Sequence, residues 1–136
     1  MTFCFFQPSV SIGNVGQLAV DVLLSSVSPK PEFVSSIYHP SIIPVVGTDP
    51  LNLKSDQLMT ACQLYKTENE AILQLRSGLL GGQRDLFLND LINWIGAKKF
   101  AKVVILTSTT SDERLDNQIR GSQFRFISNK FENELK

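Results

Sequence analysis

Apolar positions along the chain change their period several times, and each change marks an element. Residues 10–12 read as a short strand, preceded by Pro8 where a missing N–H costs little. From Val15 the period is helical: Val15, Leu18, Ala19, Val22 and Leu23 share one face, while Asn14, Gln17, Asp21 and Ser25 mark the other. Val20 and Leu24 fall outside that stripe, so the helix is apolar nearly all round and burial on more than one side is expected. Asn14 stands where its side-chain oxygen can accept an N–H of the first turn.

Residues 25–31, with serines and two prolines, read as a loop. A weak strand is expected over 32–38, and the β-branched run 42–46 closes at Gly47, Asp49 and Pro50, ahead of a polar stretch to residue 55. Residues 58–66 and 71–76 flank the turn "TENE", and Ile72, Gln74 and Arg76 alternate with Leu73 and Leu75, which predicts a hairpin. Gly78, Gly81 and Gly82 interrupt the chain. A helix is predicted over 85–98 with Phe87, Leu91, Trp94 and Ile95 on one face, ending at Lys98 and Lys99, whose charges suit its negative end. The continuous apolar run "KVVILT" then predicts a strand covered on both faces. A polar stretch, the aromatic run "FRFIS" and the start of a helix over 129–136 follow. The order predicts a single layered α/β domain over residues 1–136.

Composition narrows the function classes. The hydrophobic fraction of 43% is that of a globular core, and thirteen basic against thirteen acidic residues, scattered along the chain, offer no electrostatic stripe for nucleic acid. Cys4 and Cys62 lack the paired spacing of a zinc or redox motif and read as buried or semi-buried free thiols. No apolar run reaches the roughly 18 residues of a membrane span, and the apolar start meets Pro8 before a signal peptide could form, so a soluble intracellular protein is expected.

Candidate chemistry is sparse. Gly13 and Gly16 sit between a strand and a helix, a layout that can hold an anion on backbone N–H groups, but the turn lacks the Gly-Lys-Ser/Thr ending of a P-loop and the three-glycine dinucleotide fingerprint. A turn and a close helix approach are their simpler roles. His39 is the sole histidine, has no G-x-S-x-G elbow with it, and reads as solvent-facing or locally hydrogen-bonded. The hydroxyl-rich loop 107–113 follows a strand, where α/β folds place ligands, yet its composition is also that of any exposed loop. Asp85 reads as a helix-start charge, Asp90 as a solvated helix position and Trp94 as core, whereas Arg76 needs a buried partner or faces an interface. No catalytic, cofactor-binding or metal-ligating constellation emerges.

Four blocks, in order, carry a resemblance that these residues alone do not explain: "VSIGNVGQLAVDVLL" from Val10, "IIPVVGTDPL" from Ile42, "LQLRS" from Leu73, and "VVILTSTTSDERLDNQIRGSQFRF" from Val103. Together they resemble the amino-terminal half of the proteasome assembly chaperone family, and the likeness runs from residue 10 to 127. The resemblance implies an α/β/α sandwich with a mixed sheet, of which the chain holds the amino-terminal half, and no catalysis, metal or cofactor. It implies a heterodimer with proteasome assembly chaperone 1 that promotes assembly of the proteasome α-ring, prevents aberrant α-ring dimerisation, and has α subunits as partners. A location in cytoplasm and nucleus is expected, with no nucleic-acid or membrane partner. Gly13 and Gly16 are expected to shape the turn, and Asn14, Gln17, Arg76, Arg120 and Phe124 are candidate partner contacts. The family's hydrophobic-tyrosine-any-residue tail is not matched by the ending "FENELK". The alternative is a small-molecule or nucleotide-binding enzyme of phosphorylase/hydrolase-like fold using the 13–17 turn.

Overall fold

A computed structural model describes residues 4–8, 11–49, 56, 58–116 and 120–129. The elements in chain order are β1 (Cys4–Pro8), α1 (Val15–Ser26), β2 (Glu32–Ser36), β3 (Val46–Thr48), β4 (Leu58–Thr60), β5 (Cys62–Lys66), β6 (Glu70–Leu75), α2 (Arg84–Lys98) and β7 (Lys102–Leu106). Short 3₁₀ turns at Ile12–Asn14 and Ser111–Glu113 lie in the loops after β1 and β7. The expected helix over 129–136 lies outside the described residues apart from Asn129.

The first strand lies upstream of the predicted one. "CFFQP" forms β1, which ends on Pro8, and Ile12 belongs to the turn that follows. Gly13 and Asn14 adopt left-handed backbone in that turn, with φ of 64° and 55°. Only glycine does so without strain, which is the conformational freedom the Gly13 position uses. β1 lies between β6 and β7 and runs parallel to both.

The predicted hairpin is present. β5 and β6 pair antiparallel from Cys62↔Leu75 to Lys66↔Ala71, and β2 adds antiparallel to β5, giving a mixed sheet of order β2-β5-β6-β1-β7. The predicted first hairpin strand is broken at Ala61, and its beginning, β4, pairs instead with β3 in a separate two-stranded sheet. The β-branched run at 42–46 contributes only a bridge from Ile42 to Leu79 before β3 begins.

Strand alternation sorts the core into two layers. Cys62, Leu73 and Leu75 point to α2 and pack with Phe87, backed by Leu91, Trp94 and Ile95, the face that periodicity assigned to this helix. Ile72 and Tyr65 point the other way and pack with Val20 and Leu24 of α1 and Met59 of β4. The result is an α/β/α sandwich, and each of the large buried side chains contributes on the order of 1.5–3 kcal/mol. Cys62 is a free thiol in the α2-side core, as expected, and burial pushes its pKa up to about 12, which leaves it unreactive.

Two expectations about burial fail. The stripe of α1 that carries most apolar residues is not the buried one: Gly16, Gln17, Val20 and Leu24 are buried, whereas Val15, Leu18 and Val22 are exposed. The buried face combines the small Gly16 with Val20 and Leu24, and on it the Gln17 backbone carbonyl accepts from Gln74 of the sheet. β7 is not covered on both faces either. It is an edge strand, and Val103 and Ile105 are exposed.

Candidate functional site

The amino terminus of α1 is held by a residue that periodicity overlooked. The Gly16 N–H donates to Ser11 Oγ at 3.3 Å, while Asn14, the predicted cap, is left-handed and makes no side-chain cap bond. A left-handed residue cannot aim its side chain back at the first turn as an extended cap does. The Ser108 hydroxyl donates to the Ile12 carbonyl at 2.5 Å and ties the loop after β7 to this turn. The turn before α1 and the hydroxyl-rich loop after β7 therefore adjoin, with their contact made by protein groups.

Beneath α1 lies a polar cluster. The Arg76 guanidinium forks onto Asp21, Nη2 to Oδ1 at 2.7 Å and Nη1 to Oδ2 at 3.1 Å. Gln74 Nε2 donates to the same Oδ1 at 2.6 Å and to the Gln17 carbonyl at 3.0 Å. Both charged side chains are about four-fifths covered, which makes this a half-buried bidentate pair rather than a surface one. Arg76 thus has its partner, and Gln17 is buried against the sheet. Asp21, placed by periodicity on the polar side of the helix, carries the only charge of α1 and turns it inward. Tyr65 adjoins the cluster: its hydroxyl donates to Gln63 Oε1 at 3.2 Å, and burial raises its pKa against the lowering effect of Arg76.

With Asp21 turned inward, the outer face of α1 is uncharged. Leu18 is 57% exposed and Val22 61%, and Val15 and Ile12 continue the stripe toward the turn. Residues three and four apart on a helix are neighbours, so this is one apolar strip. Asn14 at its end is exposed, as are Arg120 and Phe124 in the segment after β7.

Among the described residues, His39 is the centre of an arrangement with catalytic elements. Its Nδ1 accepts the Ser41 N–H at 3.1 Å, which assigns the ring proton to Nε2, and Nε2 faces Asp90 Oδ2 at 3.1 Å. The ring stands edge-on to Phe87 at 5.2 Å. A nucleophile would need its hydroxyl on the imidazole nitrogen, but the nitrogen is taken by the Ser41 amide and Ser41 itself is fully buried. The Asp90–His39–Ser41 set instead pins the 37–43 segment to α2. Sequence reasoning saw His39 and Asp90 separately, because they stand 51 positions apart and the stretch between them carries no periodic signal linking the two.

Two shallow clefts lie near the carboxyl end of α1. One of about 220 Å³ is lined by Val27–Pro29 and Thr67–Glu70, and the other, of about 440 Å³, by Lys30, Glu32 and Lys66 among others. Both are remote from the 13–17 turn along the helix. Among the described residues, no group of three or more His, Cys, Asp or Glu side chains is placed to hold a metal, and no helix is long and apolar enough to cross a membrane.

The model of the PAC2 family matches residues 5–131. The chain is similar to proteins named proteasome assembly chaperone 2: 33% identical to that of Nematostella vectensis, over 98% of this chain and 57% of the relative. Identity is 34% to the Xenopus tropicalis protein, over 92% and 49%, and 31% to the human one, over 92% and 48%. The chain spans about half the length of these curated relatives. A family match across nearly the whole α/β/α unit, and relatives at this identity, lead to one conclusion: the chain belongs to the PAC2 family.

Proposed function

We propose that this protein is a proteasome assembly chaperone subunit that works by protein contact. The carrying observation is the family match over residues 5–131 together with relatives named for that role. The geometry supports it: the nearest approach to a catalytic set is locked into the fold, while α1 presents an uncharged apolar strip. In this reading the protein forms a heterodimer with proteasome assembly chaperone 1, gathers α subunits into a ring and keeps rings from pairing wrongly, acting in cytoplasm and nucleus. Selective binding energy is the whole mechanism, since covering subunit surfaces disfavours the wrong association as much as it favours the right one.

Asn14, Arg120 and Phe124 are accessible and remain partner contacts in this reading, joined by Leu18 and Val22. Gln17 and Arg76 act from beneath, by fixing α1 to the sheet. Co-expression with proteasome assembly chaperone 1 and tagged α subunits from the same organism tests the proposal. Co-purification of both is the expected result; recovery of this chain alone, folded but unaccompanied, overturns it.

A further inference from the structure

The two edges of the five-stranded sheet are built differently. At one edge, β2 carries Glu32, Ser35 and Ser36, has a register shift between Phe33 and Ser35, and sets an ion pair from Glu32 to Lys66 at 3.4 Å. Bulges and charges are how natural sheets blunt an edge that must stay open to water. At the other edge, β7 pairs with β1 in unbroken register from Lys102 to Leu106, and only Lys102 interrupts its apolar character. Val103 and Ile105 alternate onto one face and are 39% and 62% exposed. A run that is apolar on both sides is the pattern of an interior strand, and among the described residues β7 pairs only with β1.

We propose that β7 is an interior strand of the complete sheet, and that its outer neighbour is an apolar strand carried by the portion of the PAC2-family chain that these 136 residues do not match. The relatives supply the length, since this chain covers only 57% and 49% of the first two. A strand added there pairs the outward N–H and C=O groups of β7 and covers Val103 and Ile105, whereas the bulged β2 edge stays open. The gain is twofold, backbone pairing and burial of β-branched side chains. This inference concerns the sheet and does not depend on the chaperone role.

The test is residue-resolved amide hydrogen exchange across Lys102–Leu106. It is measured on this chain, and on a chimera in which the unmatched portion of the Nematostella vectensis relative is joined to it. An edge strand leaves alternate amides unpaired, so in this chain alternate β7 amides exchange fast. In the chimera the same amides slow about 10-fold or more. Ile105→Glu leaves the melting temperature of this chain unchanged but lowers that of the chimera. The full-length relative, measured in parallel, serves should the chimera not fold: its corresponding strand is protected at every amide. Alternating protection in the folded chimera or in the relative, or equal tolerance of Ile105→Glu in chain and chimera, overturns the proposal.

Discussion

At the residue scale the fold turns on polar side chains more than its composition suggests. Arg76 and Asp21 meet in a half-buried fork, with Gln74 donating to the same carboxylate. Removing one partner strands the other, so Arg76→Ala is expected to cost roughly 2–3 kcal/mol in urea unfolding. Arg76→Lys, which cannot fork, recovers less than half of it. A double-mutant cycle with Asp21→Ala isolates the coupling. Gly13→Ala, at φ of 64°, is expected to cost about 1 kcal/mol from backbone strain, since the added Cβ meets nothing closer than 3.8 Å. Cys62 gives a pH signature. Its thiol titrates from 9.0 when unfolded and at about 12 when buried, so as pH rises the unfolded chain loses its proton first. Stability is therefore complete below pH 9.0 and falls above it, by at most ~1.4 kcal/mol per pH unit from this group. Tyr65, also raised by burial, adds to the same fall. Denaturation midpoints of wild type and Cys62→Ala between neutral pH and pH 10.5 check it, with the variant falling less steeply.

At the element scale α1 separates two kinds of apolar residue. Leu24→Ala is expected to cost about 2–5 kcal/mol, because it opens a cavity under the helix, whereas Leu18→Ala on the outer strip stays within about 0.5 kcal/mol; thermal unfolding of both variants decides. Periodicity alone reverses this assignment. It follows the richest apolar stripe, and here that stripe faces out while Gly16, Gln17 and Asp21 face the sheet. The hairpin of β5 and β6 and the core face of α2 were legible, because alternation and helical spacing there coincide with burial. The position of β1 was not, since "CFFQP" offers too few residues to show a period. β7 read as interior although it stands at an edge, a conflict between local pattern and position that the sheet extension resolves.

At the scale of the whole molecule, three of the four sequence blocks fall on elements that pack together around α1. The first supplies α1, the third the end of β6 and the two residues that follow it, with Gln74 bonded to α1, and the fourth β7 and the loop that Ser108 ties back to Ile12. Family membership was legible because those blocks occur in order. The pairings of Asp21 with Arg76 and of His39 with Asp90 were not, because each joins residues more than 50 positions apart. What the fold offers is a scaffold with its charges turned inward under α1 and an apolar strip turned outward.

The central claim is that this strip meets a partner. Native mass spectrometry of the protein co-expressed with proteasome assembly chaperone 1 tests it, using wild type and the Leu18→Lys/Val22→Lys double variant. The predicted result is a one-to-one complex for the wild type and a loss of at least about 1.4 kcal/mol of affinity, roughly tenfold, for the variant at unchanged melting temperature. A variant that binds as tightly as the wild type, or a wild type that forms no complex, contradicts the account.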